Sequence, residues 1–224
     1  IEKLESTLED FLNDDEYEED VLLGCMFQVA FALTYLQKRY KFTHNDLHIN
    51  NIMFAKTETK YLYYKINNQY FQIPTHGKVF KIIDYGRAIF TFRNKTYMND
   101  VFSRNGEAGG QYSYSHQVSF LDRGSKDKDN WSPNYHFDMC RLSMTTLEEI
   151  QKDKTSEATL NFLQGMCQDH QDGSFCDMKD DFNLYVSIAR NASNSLPRDI
   201  LQEPIFKQFR VKKKSFPRKS YYGL

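Results

Sequence analysis

Residues 42–54 read FTHNDLHINNIMF, and this stretch decides how the rest of the chain is interpreted. Its polar centre predicts a loop, and the apolar residues at 52–54 predict a short strand directly after it. Asp46 could accept or orient the proton of a hydroxyl group. Asn51, five residues further on, could hold a metal ion through its amide oxygen. An acid and an amide at this spacing are residue types that phosphoryl transfer uses.

A second polar motif follows an apolar run further along the chain. Residues 79–86 read VFKIIDYG, so a predicted strand delivers Asp84, then Tyr85 and Gly86. A carboxylate in such a position could bind Mg²⁺ across the phosphates of a nucleotide. It lies 38 positions after Asp46 (84 − 46). The two motifs in this order indicate a phosphotransfer site more strongly than either one alone.

The composition indicates one soluble globular domain. Of the 224 residues, 40% are hydrophobic and 26% are charged, and the aromatic share of 15% predicts a core rich in rings. The four cysteines form no C-x-x-C pair, which disfavours a zinc site or a disulfide framework and fits a reduced, cytoplasmic or nuclear setting. We recognise no apolar run of about 20 residues and no signal peptide, so we expect no membrane contact and no secretion.

The formal net charge of −1 is unevenly distributed. Acidic residues crowd 1–20 and basic residues crowd 207–219. Two interpretations stay open: both ends are solvated surfaces that attract each other, or the basic tail binds nucleic acid or an acidic partner. Because no basic groove interleaved with aromatic residues is visible in the sequence, nucleic acid is not an expected partner.

Hydrophobic periodicity and turn residues predict most of the secondary structure. Thr7 is expected to cap a short helix. The other predicted elements are a long helix over about 16–39, a hairpin of 61–64 and 70–73 around an Asn67-Asn68 turn, a long polar loop over 94–135, and helices over about 134–152, 156–168 and 180–192.

The motifs resemble the C-terminal lobe of the protein-kinase-like fold. His44, Asp46, Leu47 and Asn51 match the catalytic-loop pattern H-R-D-L-x-x-x-N, with Asn45 in place of the arginine. The Asp-Tyr-Gly run resembles the D-F-G motif of the same family, with Tyr in place of Phe.

Four further features resemble haspin-type atypical kinases in particular. They are the D-L-H run at 46–48, the Tyr-rich hairpin that ends at 73–74, the I-I-D-Y run at 82–85, and Phe137-Asp138 followed by Arg141-Leu142. The H-N-D-L-H run and the hairpin also resemble kinase-like proteins of large DNA viruses. The resemblance covers about residues 1–152 well and the remainder loosely.

The resemblance implies an α+β fold, mainly α, in which long helices and short β-hairpins surround the catalytic loop. It implies a single kinase-like C-lobe over 1–224, divided into the hinge and first helix (1–15), the catalytic loop (42–54), the metal-binding Asp with the activation-type segment (84–135), and a helical remainder with the basic tail (136–224). The N-lobe is expected to be absent, because only 43 residues precede His44 and no G-x-G-x-x-G occurs. The chain is therefore expected to be a fragment, a truncated product or a degenerate kinase.

The same resemblance implies ATP and Mg²⁺ as cofactors. Asp46 would orient the acceptor hydroxyl, Asn51 and Asp84 would hold Mg²⁺, and Met53 would lie under the adenine. His48 is a second catalytic candidate, for which contact with phosphate or substrate and simple packing on the loop both stay open. The residues implied as structural support are His44, Gly86 and Asp138.

Three functions stay open at this point. The first is a protein Ser/Thr kinase with a protein substrate, and the second is a kinase of small molecules, because H-x-D-L-H-x-x-N also resembles aminoglycoside- and choline-type phosphotransferases. The third is a pseudokinase that serves as an interaction scaffold. The oligomeric state stays open, and a viral protein of this kind would work in the cytoplasm or nucleus of its host cell.

Overall fold

Strands dominate the first half of the chain and helices the second. The computed structural model describes residues 3–103, 105–112, 133–171, 173–179, 181–217 and 220–224. The strands are β1 (Ser6–Thr7), β2 (Ile52–Lys56), β3 (Tyr61–Ile66), β4 (Gln69–Pro74), β5 (Lys78–Ile82), β6 (Phe90–Phe92), β7 (Lys95–Tyr97) and β8 (Tyr222–Gly223). The α-helices are α1 (Leu8–Leu12), α2 (Glu19–Tyr40), α3 (Phe137–Glu149), α4 (Glu157–Met166), α5 (Phe182–Asn191) and α6 (Pro197–Ile200). The mixed α/β content agrees with the predicted class.

The long helix α2 is the centre of the larger hydrophobic core. It begins three residues later than predicted, because Glu18 is extended and Tyr17 turns away to hydrogen-bond Thr155 (2.9 Å between hydroxyl oxygens). It ends at Tyr40, because the next residue, Lys41, adopts the left-handed conformation (φ 49°). Acidic residues in its first turn and basic residues in its last turn favour the helix dipole.

By length and composition, α2 is apolar enough to cross a membrane, so the expectation that no segment reaches this limit is wrong. Two thirds of its most apolar stretch is buried inside the protein. A helix that is covered by protein on nearly all sides must be apolar on nearly all sides. Burial in the core therefore accounts for its composition.

A three-stranded antiparallel sheet brings the two polar motifs together. Its strand order is β1-β2-β5, and Ile52 pairs with Ile82. The strand after the catalytic-type loop therefore lies against the strand that delivers Asp84. The backbone N–H of Ile83 extends this pairing by donating to the carbonyl of Asn51 at 3.0 Å.

The predicted hairpin forms as β3 and β4, and it packs on α2 through aromatic rings. Phe27 is fully buried between Tyr64, Phe71 and Phe206, with ring centroids 5.0–5.3 Å away. Rings in tilted or edge-on contact at such distances add to the stability gained from burying their area. The prediction of an aromatic-rich core is confirmed.

The second half of the chain forms a smaller core between α3, α5 and the segment that joins α4 to α5, which contributes Cys167 and Phe175. Helix α3 begins at Phe137 rather than at the predicted Asn134, because hydrogen bonds of the Asn134 side chain hold that residue outside the helix. Its Nδ2 donates to the Ala192 carbonyl at 2.9 Å, and its Oδ1 accepts from the N–H of His136 at 2.9 Å. The short elements α6 and β8 were not predicted.

The predicted long loop is only partly described. Within it, β7 pairs with β6 as a short hairpin, and a 3-10 turn covers Asp100–Phe102. The remainder of that loop from 113 to 132 lies outside the described residues. All four cysteines are unbridged, as expected.

Candidate active site

A buried carboxylate fixes the shape of the catalytic-type loop. Asp138, on the first turn of α3, is fully buried and accepts the backbone N–H groups of His44 and Asn45 at 2.8 and 2.9 Å. Burial raises the pKa of Asp138, and the two N–H donors oppose that shift by favouring the charged form. Asp138 is thus a buried acceptor for the backbone of the loop, at a position where the resemblance implied structural support.

Asn45 replaces the usual arginine with a set of local hydrogen bonds. It is fully buried and left-handed (φ 64°), a conformation that Asn tolerates better than most residues. Its Nδ2 donates to the carbonyls of Arg87 (3.0 Å) and Thr43 (3.3 Å), and its Oδ1 accepts from the Tyr112 hydroxyl. The loop is therefore tied directly to the segment that follows Asp84.

His44 joins the loop to the end of β5. Its ring is fully buried, and its Nε2 lies 2.8 Å from the carbonyl oxygen of Ile83. It also contacts the ring of Tyr85, with 5.5 Å between centroids. These contacts tie the loop to the end of β5 through His44.

Asp46 is held by residues that the sequence motifs did not identify. The Tyr185 hydroxyl on α5 donates to Oδ1 of Asp46 at 2.8 Å, and Nε of Arg87 lies 3.8 Å from Oδ2. The guanidinium groups of Arg87 and Arg141 lie 5.4 and 5.3 Å from the centroid of the Tyr185 ring. The Asp46 side chain remains 22% exposed, so it is oriented yet reachable from solvent.

Burial raises the pKa of Tyr185, so its hydroxyl stays protonated and can donate to the carboxylate. No spacing rule links Tyr185 to Asp46, because 139 positions separate them. Arg87 was within reach of sequence reasoning, since it comes directly after the Asp-Tyr-Gly motif.

Asn51 is oriented by its amide nitrogen. That nitrogen donates to the carbonyl of Asp46 at 2.8 Å and lies 3.1 Å from Nε2 of His48. The amide oxygen is therefore the atom that Asn51 can offer to a cation. Burial lowers the pKa of His48, which favours the neutral ring that can accept this hydrogen bond. The structure thus shows His48 in contact with the loop itself.

Asp84 stands exposed at the end of β5 in the left-handed conformation (φ 58°). Its Oδ1 accepts the N–H of Gly86 at 3.2 Å and caps a 3-10 turn over Tyr85–Arg87. A side chain at Gly86 would place Cβ 3.2 Å from that same oxygen, which is a tight contact. Glycine at this position leaves the carboxylate room.

The oxygens of Asn51 and Asp84 suit Mg²⁺, which prefers hard oxygen ligands and is commonly held by one or two protein groups together with phosphate. The backbone hydrogen bond from Ile83 to Asn51 joins the two strands directly before Asp84. Among the described residues, no three His, Cys, Asp or Glu side chains converge on one point. Met53 lies partly buried on β2, opposite Lys81.

A cleft of about 530 Å³ opens beside the Asp84 turn. One wall is formed by Tyr85, Gly86 and Ala88, and the other by the β6–β7 hairpin and the residues up to Asp100. This cleft lies where the chain leaves the Asp-Tyr-Gly motif.

Comparison with known proteins agrees with this geometry. Over 111 residues the chain is 29% identical to the serine/threonine-protein kinase haspin of Mus musculus, and over 108 residues it is 32% identical to the haspin homolog of Drosophila melanogaster. About half of the chain is thus similar to haspin kinases. A third relative, 32% identical over 96 residues, is a protein of Acanthamoeba polyphaga mimivirus described as a candidate serine/threonine-protein kinase. The recognised resemblance to haspin-type and viral kinases is confirmed.

These matches are partial on both sides. They cover 50%, 47% and 38% of this chain, and 14%, 18% and 24% of the mouse, fly and viral proteins respectively. No family model matches the chain. The similarity therefore supports a kinase-like origin for about half of the chain. The activity of the whole protein is proposed below.

Proposed function

We propose that this chain supplies the catalytic-loop lobe of an ATP- and Mg²⁺-dependent protein Ser/Thr kinase. The observation that carries the proposal is the joining of the two motifs: His44 bonds the carbonyl of Ile83, and Asn51 accepts the N–H of the same residue. These bonds support a site in which Asp46, Asn51 and Asp84 act together at one edge of the β2–β5 pair. The partial homology to proteins named Ser/Thr kinases supports a protein substrate.

Asp46 would orient the hydroxyl of the acceptor for attack on the terminal phosphoryl group. Its carboxylate is held on one oxygen by the Tyr185 hydroxyl and approached on the other by Arg87, so its direction is set before a substrate arrives. Positioning of this kind supplies much of the catalysis in phosphoryl transfer.

Asn51 and Asp84 would hold the metal ion, and Met53 would lie under the adenine. Bound Mg²⁺ at such a site neutralises phosphate charge. The protein's own contribution is to fix the two oxygen ligands. The amide of Asn51 is fixed by Asp46 and His48, and Asp84 is fixed by the N–H of Gly86.

The test is phosphotransfer from γ-labelled ATP to a Ser/Thr peptide library by the natural full-length protein. We expect Asp46→Asn to lower kcat by about 100-fold or more, since acid–base groups contribute roughly 10²–10⁴-fold, with little change in KM for MgATP. We expect Asp84→Asn to weaken binding of MgATP. The matched control is Asp153→Asn, because Asp153 is exposed on a separate 3-10 turn far along the chain.

Two outcomes would redirect the assignment. Transfer to aminoglycosides or choline, with none to peptides, would identify a small-molecule kinase. The protein would be assigned as a scaffold if the wild type transferred phosphate to no acceptor and the Asp84→Asn variant still bound its partner normally.

A further inference from the structure

The basic tail folds back onto the β3–β4 hairpin rather than extending into solvent. The N–H of Val211 donates to the carbonyl of Tyr70 at 2.9 Å, and the N–H of Leu224 donates to the carbonyl of Lys65 at 3.0 Å. Strand β8 pairs in parallel with β3, with Tyr222 opposite Tyr64. Tail and hairpin therefore form one continuous surface, which we call the hairpin–tail surface (residues 60–74, 204–217 and 220–224).

This surface contains no acidic side chain. The sequence has no Asp or Glu from 60 to 83 or from 204 to 224, whereas the tail carries the run Lys212-Lys213-Lys214. These three lysines are exposed, and within the described residues no salt bridge neutralises them. Lys60 and Lys207 add two further exposed cations. The charged side chains of the surface are therefore all positive, although the chain as a whole carries a formal charge of −1.

Aromatic rings lie among these cations. The Phe216 ring sits between those of Tyr70 and Tyr221, with centroids 4.9 and 5.3 Å away. Tyr61 and Tyr221 are 41% and 42% exposed. The tail itself alternates basic and aromatic residues between Lys207 and Tyr222, and the fold adds the hairpin rings Tyr61 and Tyr70, which lie far from it along the chain.

Tyr222 offers an open aromatic face. One side of its ring stacks on Tyr64, with a centroid distance of 5.2 Å and an interplanar angle of 25°. The residue is nevertheless 54% exposed, so the opposite face of the ring is open to solvent. The Tyr64 ring beneath it is buried against Phe31, so the Tyr222 ring stacks on the core of the protein.

We propose that the hairpin–tail surface binds single-stranded nucleic acid. Lysines would neutralise successive phosphates, and unstacked bases would stack on the open rings, as in proteins that bind single strands with little sequence preference. An acidic polypeptide would satisfy the cations but would leave the open face of Tyr222 without a partner. The exposed rings therefore favour nucleic acid over an acidic peptide.

The probe is a fluorescein-labelled oligo-dT of ~20 nucleotides, long enough to span a typical single-strand site, titrated with this chain and followed by fluorescence anisotropy. We expect binding at low salt that weakens as salt rises, with a slope of log K against log salt of about −0.7 for each phosphate contacted. The triple variant Lys212→Ala/Lys213→Ala/Lys214→Ala should bind more weakly and reduce that slope by about 2. The matched control is Lys3→Ala/Lys152→Ala/Lys179→Ala, which removes the same charge from exposed lysines outside the surface and should retain wild-type binding and slope.

Stacking is tested separately from charge. We expect Tyr222→Ala to weaken oligo-dT binding about tenfold, within the range for loss of one base–aromatic stack, and duplex DNA of equal length to bind more weakly than the single strand. Circular dichroism of each variant checks that the fold is retained. No binding of oligo-dT at low salt would overturn the proposal. Wild-type affinity of the Tyr222→Ala variant for oligo-dT would also overturn it. Tighter binding of poly-glutamate than of oligo-dT would assign the surface to an acidic polypeptide instead.

Discussion

At the scale of single residues, neighbours distant in sequence determine what each polar side chain can do. Asn45 illustrates this, since its buried amide bonds Arg87 and Tyr112 on the segment after the Asp-Tyr-Gly motif. A neutral side chain thereby links the loop to that segment by direct hydrogen bonds. We accordingly infer that no phosphate group is needed to order this connection.

Tyr185 is the first residue at which this can be tested. Replacing it with phenylalanine removes the hydroxyl that donates to Asp46 and keeps the ring between the two guanidinium groups. A hydrogen bond to a charged group contributes about 1.5–3 kcal/mol, so we expect kcat for phosphotransfer to fall about tenfold or more with little change in KM for MgATP. Tyr35→Phe, at an exposed position on α2, is the control. Equal kcat in both variants would contradict a positioning role for Tyr185.

Cys176 provides a second test, and it does not depend on catalysis. Cys176 is exposed. Its pKa is lowered to about 7, mainly by a hydrogen bond from Cys167. Because only the thiolate reacts, we expect its alkylation by iodoacetamide to rise through pH 7, as measured by mass spectrometry of the modified peptide.

The control is Cys167→Ala, which removes the donor and should move the midpoint of alkylation up toward the ordinary thiol value of roughly 8.5. Cys25 and Cys140 should stay unmodified in the native protein, because both are fully buried and burial raises their pKa values. An unchanged midpoint in Cys167→Ala would mean that another group sets the reactivity of Cys176.

At the scale of elements, the catalytic-type loop takes its shape from the start of α3 and the edge of β5. Asp138 holds the loop from one side through two N–H groups. The carbonyl of Ile83, which lies 2.8 Å from His44, holds it from the other. The loop is thus clamped between a helix and a strand that are far apart in the sequence.

Removing this clamp should destabilise the protein. Asp138→Ala leaves two buried N–H groups without an acceptor, and each such group costs about 1–3 kcal/mol. We expect the free energy of unfolding, measured by urea denaturation, to fall by about 2–5 kcal/mol. Asp153→Ala on the surface should change it by less than about 0.5 kcal/mol. A loss below about 1 kcal/mol for Asp138→Ala would show that the loop does not depend on this anchor.

At the scale of the whole molecule, the tail belongs to the core as well as to the surface. Phe206 is fully buried and Phe209 is 5% exposed, and both rings lie against Phe27 on α2. The 3-10 segment Pro204–Phe209 therefore closes the larger hydrophobic core over α2 and β4.

Truncation tests this directly. Ending the chain after Glu203 removes two buried phenylalanines, each worth roughly 3–5 kcal/mol, which is comparable to the stability of an ordinary domain. We expect the cooperative thermal transition to disappear in circular dichroism. Removal of 221–224 alone takes away three exposed residues, the partly buried Leu224 and the two-residue strand β8, so the transition should persist at a slightly lower temperature. A normal transition after the longer truncation would mean that the core closes without the tail.

The sequence by itself determined the elements that depend on near neighbours. The Thr7 cap, the β3–β4 hairpin and the long helix α2 all form close to their predicted positions. Local hydrogen bonds and hydrophobic periodicity are enough to define them. The two phosphotransfer-type motifs were visible for the same reason, because the residues of each motif lie within a few positions of one another.

The tertiary structure decided everything that needs residues from distant parts of the chain. It placed Tyr185 on Asp46, Cys167 against Cys176, and the basic tail among the hairpin aromatics. Packing of one element on another sets such contacts, and no spacing within a single segment encodes them. The late start of α3 has the same origin. The side-chain amide of Asn134 donates to the carbonyl of Ala192, at the C-terminal end of α5, and the helix begins only at Phe137.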